Sequence, residues 1–98
     1  MALTREHLRA SFERAGDDQW RALVRYHEDA YPASRPTPGD ICRREADRLN
    51  AAGFGEAGRY ELLESRVEVG DGRITLVHAL KDLGSGARIE PPPYTDYQ

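Results

Sequence analysis

Residues 63–80 read Leu-Glu-Ser-Arg-Val-Glu-Val-Gly-Asp-Gly-Arg-Ile-Thr-Leu-Val-His-Ala-Leu, and this stretch decides the fold. Asp71-Gly72 is a two-residue hairpin signal, because the favoured turn needs positive φ at both central positions. Folding the chain there pairs Val69 with Ile74, Val67 with Leu76, Ser65 with His78 and Leu63 with Leu80, all on one face. Glu64, Arg66, Glu68, Thr75, Val77 and Ala79 take the other. Turn and alternation agree, so the register is specified by the sequence, with Leu63, Val67, Val69, Ile74, Leu76 and Leu80 expected in the core.

Working outward, a second turn at Gly84-Ser85 pairs Leu80 with Ile89 and adds a short third strand. Upstream, the periodicity changes to that of helices. Thr4 caps a first helix over about Arg5 to Ala15, with Leu8, Phe12 and Ala15 on one stripe and Gly16 ending it. A second begins at Asp17 or Asp18, carries the stripe Trp20, Leu23, Val24, His27 and Tyr31, and stops at Pro32. A third opens at Thr37-Pro38-Gly39-Asp40, where Thr37 is the cap, Pro38 sits at N1 and Asp40 completes a capping box. Ile41, Cys42, Ala46, Leu49 and Ala52 form its buried side. The expected architecture is α+β: three N-terminal helices packed on one face of a C-terminal three-stranded antiparallel meander. Residues 1–90 form the domain. Residues 91–98, Pro-Pro-Pro-Tyr-Thr-Asp-Tyr-Gln, form an extended tail, since prolines cannot join a central strand.

Composition narrows the functional classes. The chain has 98 residues, a net charge of −3, and 32% charged against 39% hydrophobic residues. That suits one small domain and gives no global attraction to nucleic acid. No stretch is long and apolar enough to span a bilayer, and neither a secretory leader nor a lipidation signal is expected. A single cysteine, Cys42, excludes an intrachain disulfide and a cysteine-built zinc site and suits the cytoplasm. Thirteen arginines stand against one lysine, Lys81, a bias that suits bidentate pairing and interfaces.

The chemistry-bearing residues do not converge. His27-Glu28-Asp29 has metal-ligand types, but neighbours on a helix point about 100° apart, and His27 lies on the apolar stripe. Ser65 opposite His78 invites a nucleophile reading, yet no orienting group or oxyanion site is legible, so a buried imidazole bonded to a hydroxyl is expected. Glu45 and Asp47 have arginine partners in Arg48 and Arg43, which reads as a solvated ion-pair face. Cys42, in a helix first turn, reads as structural. The glycines of residues 53–58 follow a helix and precede no lysine, so they form a connection, not a phosphate loop.

The remaining signals concern partners. Helix three, then Asn50-Ala51-Ala52-Gly53-Phe54, then a hairpin resembles the end of a winged-helix domain over roughly residues 38–82. A nine-residue stretch from Pro32 to Asp40 stands where that family has a tight corner. The resemblance implies DNA binding through Arg43, Arg44 and Arg48. Pro91-Pro92-Pro93-Tyr94 matches the PPxY pattern that WW domains read. The reading that fits best is a non-catalytic protein-binding module in the cytoplasm: an adaptor, assembly component or inhibitor. It needs no cofactor or metal, and its contacts are expected at Arg43, Arg44, Arg48, Arg66, Tyr94 and Tyr97, with a protein partner or a second copy of itself. The alternatives are a winged-helix-like DNA-binding regulator and a small ligand-binding or enzymatic domain with a helix–sheet pocket where His27 and His78 meet.

Overall fold

In the computed structural model, which describes residues 2–56 and 58–95, the capping signals of the first and third helices are met, whereas the second has Gly16 as its N-cap with no side-chain capping bond, and Asp17 and Asp18 lie in its first turn. Helix α1 spans Arg5–Arg14, α2 Asp17–Ala30 and α3 Pro38–Ala51. The Thr4 side chain accepts from His7 N–H, and the His7 ring accepts from Thr4 N–H, closing a capping box. Thr37 and Asp40 close the same motif on α3. Gly16 separates α1 from α2 at φ 121°, which a residue with a Cβ rarely adopts.

Strands β1 (Tyr60–Gly70) and β2 (Arg73–Asp82) form the expected antiparallel hairpin. Asp71 and Gly72 have φ of 54° and 71°, as a type I′ turn requires. Val69 pairs with Ile74, Val67 with Leu76 and Ser65 with His78. One expected pair is corrected. A bulge between Leu62 and Glu64 sets Leu62, not Leu63, opposite Leu80, so Leu62 is buried and Leu63 only half-buried. Val69 is also corrected: it is 53% exposed, near the tip of the hairpin.

Among the described residues the sheet has four strands, not three. Beyond β3 (Arg88–Ile89), residues Tyr94–Thr95 form β4. Both lie on the same edge of β2: Leu80 pairs with Ile89, and Leu76 with Tyr94. They amount to one edge strand interrupted by Pro91-Pro92-Pro93, whose missing N–H groups break the ladder. The described part of the expected tail is therefore docked. Pro91 is buried and Tyr94 packs against the core.

Leu8, Phe12, Leu23, Ile41, Leu49, Ile74, Leu76 and Leu80 are fully buried between helices and sheet. Helix α1 lies centrally, against α2, α3 and β1. Ala15 and Ala52, expected in the core, are exposed, and Trp20 is half-buried beneath the Arg9 guanidinium at 5.1 Å. On the outer face, Arg88 and Glu64 pair at 2.6 Å across β2, and Ala79, between them, is 1% exposed. Among the described residues no helix is long and apolar enough to cross a membrane.

Candidate functional site

The interior carries an unbroken chain of polar groups. Ser11 on α1 lies 2.6 Å from Ser65 on β1, and the Ser65 hydroxyl lies 2.7 Å from His78 Nδ1 on β2. His78 Nε2 lies 3.0 Å from Glu45 Oε2 on α3. Arg48 then grips both Glu45 oxygens, Nε at 3.1 and 3.2 Å and Nη2 at 3.0 Å. Its Nη1 donates to the Pro92 carbonyl at 3.4 Å, and the guanidinium stands 5.5 Å over the Tyr94 ring. This chain ties all of α1, β1, β2, α3 and the docked edge strand together.

Glu45 is the largest departure from the sequence reading. The expected pairing with Arg48 is present, but Glu45 is fully buried, not on a solvated face. Burial pushes its carboxyl pKa up; hydrogen bonds from His78 and Arg48 outweigh that and hold it below the ordinary carboxylate value.

A hydroxyl, an imidazole and a carboxylate in line match the residue types of a nucleophilic triad. The geometry differs in two ways. In a serine hydrolase Nε2 faces the hydroxyl and the carboxylate orients Nδ1; here Ser65 meets Nδ1 and Glu45 meets Nε2. Ser11, Glu45, Ser65 and His78 are each at most 1% exposed, and none lines the clefts bordered by α1, α2 and β1. Enclosed in this way, the four groups satisfy one another's hydrogen-bonding capacity.

The other candidates are placed apart. His27 is 3% exposed and does not meet His78; Glu28 and Asp29 point to solvent. Burial lowers the His27 pKa to about 4. Burial also pushes the Cys42 thiol up to about 12, far from the thiolate range needed for reactivity. Among the described residues no group of three or more His, Cys, Asp or Glu side chains could hold a metal ion.

The six expected contact residues divide. Arg48 and Tyr94 are engaged inside the fold, as above. Arg66 is exposed on the outer sheet face and pairs with Glu68 at 3.1 Å. Arg43 and Arg44 are adjacent and exposed on α3, with Arg43 3.6 Å from Asp40. Tyr97 lies outside the described residues. The structure thus brings Arg48 together with Tyr94, leaves the consecutive Arg43 and Arg44 exposed on α3, and does not unite the six.

Gln19 and Arg14, which no sequence pattern marks, bond part of the β1 edge. Gln19 Oε1 accepts from Val67 N–H on β1, and Arg14 Nη2 donates to the Leu62 and Leu63 carbonyls at 3.4 and 3.3 Å. The opposite edge carries the three prolines. Both are recognised ways of blocking further strand pairing.

No family model, curated protein or solved structure matches the chain.

Proposed function

We propose that the protein is a non-catalytic binding module, acting in the cytoplasm, that docks an acidic surface of a protein partner on the exposed face of α3 at Arg43 and Arg44. One observation carries this reading. Arg43 and Arg44 are consecutive and both exposed on α3, whereas Arg48 is held by the buried Glu45 and Arg66 is a single exposed arginine beside Glu68 on the sheet. Arginine is well suited to such a surface, because its fork binds carboxylates in pairs. Protein is favoured over DNA because Asp40 and Asp47 flank the arginines on the same helix. Those carboxylates and the net charge of −3 oppose a phosphate backbone.

The test captures tagged full-length protein from its cell of origin, measuring both protein and nucleic acid. Wild type is compared with Arg43→Glu/Arg44→Glu and with Arg66→Glu, each checked for an unchanged melting curve. The expected result is a protein companion kept by Arg66→Glu and lost by the double reversal. A companion indifferent to the double reversal, or none at all, overturns the reading. Nucleic acid captured and lost in the same variant replaces it with the winged-helix-like alternative.

A further inference from the structure

The ring nitrogens of His27 are the only buried side-chain polar atoms among the described residues without a hydrogen-bond partner. This is costly, since a buried polar group left unbonded forfeits its hydration without return. The ring is fixed by its aromatic neighbours: Tyr31 stacks on it at 5.6 Å and 17°, and Tyr26 meets it edge-on at 5.2 Å. His27 also forms part of the wall of a cleft of about 410 Å³ between α2 and the linker 32–37. Val24, Pro32, Pro36 and Pro38 make most of the remaining wall apolar, Thr37 lines it with its hydroxyl engaged by Asp40 N–H, and Glu28 and Arg35 stand on it with opposite charges. Arg35 adopts φ 43°, a left-handed conformation unusual outside glycine, and its N–H donates to Tyr31 O at 2.8 Å.

We propose that this cleft binds a small neutral molecule with an apolar, ring-sized body and one hydroxyl group, and that His27 recognises the hydroxyl. Each element of the ligand follows from a feature of the cleft. Its volume lies within the range of small-molecule sites. Its walls of proline and valine take an apolar body. Glu28 and Arg35 offset each other, so neither an anion nor a cation is selected. The His27 ring is neutral near pH 7, because burial holds its pKa near 4. It therefore offers one N–H and one lone pair, and a hydroxyl satisfies whichever nitrogen it meets. The site is separate from the Arg43–Arg44 face and does not depend on it.

The probes are p-cresol and toluene, which share a ring and a methyl group and differ by the hydroxyl. Both are titrated into the full chain, followed by shifts of the Val24, His27 and Arg35 resonances. Wild type should bind p-cresol roughly five- to tenfold more tightly than toluene, the worth of one hydrogen bond. His27→Phe keeps the ring and removes the nitrogens, so it should bind toluene as well as wild type and lose the preference. If that variant does not fold, the readout is the His27 ring nitrogens of wild type, which should shift with p-cresol and not with toluene. Binding of neither probe at millimolar concentration overturns the proposal. So does an equal preference in His27→Phe, or a His27 ring that ignores p-cresol.

Discussion

Replacing Glu45 with alanine should destabilise the protein about as much as truncating a fully buried core leucine. The carboxylate is fully buried and accepts from three donors, Arg48 Nε, Arg48 Nη2 and His78 Nε2, at 3.0 to 3.2 Å. Removing it leaves the His78 ring without its acceptor and Arg48 without its anion. Breaking a buried pair from one side costs about 3–5 kcal/mol. Arg48 is 28% exposed and can turn partly to water, which places the expected loss near the lower end, about 3 kcal/mol. A domain of this length has a total stability of about 5–15 kcal/mol, so the loss is a large fraction of it. Urea melts followed by circular dichroism measure it: at a slope of about 1.5 kcal/mol per molar, the midpoint falls by about 2 M. A cycle of Glu45→Ala, His78→Ala and the double variant should show strong coupling, because the second deletion removes a group that the first has orphaned. Glu45→Ala melting within about 1 kcal/mol of wild type, or a cycle without coupling, would refute the account of the polar chain.

Further outcomes follow from particular residues. Folded His27 takes a proton only near pH 4, whereas an unfolded histidine does so near 6.5, so stability should fall as the pH drops between those values. The slope is about 1.4 kcal/mol per pH unit, about 3 kcal/mol in all, and His27→Phe should flatten it in urea melts run from pH 7 to 4. From about pH 4.3 downward, where an unfolded glutamate takes its proton, the depressed Glu45 carboxyl adds its own loss. Leu76→Ala should cost about 2–5 kcal/mol and Val69→Ala well under 1, since the first is fully buried and the second 53% exposed. Equal costs in denaturant melts would mean that the hairpin packs differently. Gly55→Ala should cost about 1–3 kcal/mol, because a Cβ there falls 3.2 Å from Asn50 Cα and collides with the side chain that clamps Leu3 through two bonds of 2.9 Å. Unchanged stability would show that the 53–56 connection yields freely.

The elements were legible because each had two agreeing signals. Asp71-Gly72 and the alternating pattern fixed the hairpin together, and Thr37-Pro38-Gly39-Asp40 fixed α3 by cap and proline at once. The misses have physical reasons. The Leu62–Glu64 bulge leaves no mark in a strict alternation, so the lower half of β1 was read one residue out of phase. The prolines were read as a reason for a free tail, but they exclude only central strands, and an edge position was open to them. Glu45 sits midway between Ile41 and Leu49 at helical spacing, which put it on the buried stripe; its charge outweighed its position in the reading. Ser11 was hidden the same way, between Leu8 and Phe12. Of the contact residues, Arg43, Arg44 and Arg66 are exposed. Arg48 and Tyr94 could not be recognised as internal without the buried carboxylate to draw them in.

The central claim, that α3 is the working surface, is tested most directly by hydrogen–deuterium exchange on the protein alone and in its captured complex. The account predicts slowed exchange in the middle of α3, around Asp40 to Asp47, with the β1 edge from Tyr60 to Gly70 unchanged. Protection confined to β1, or a complex that leaves α3 exchanging as it does in the free protein, would contradict it.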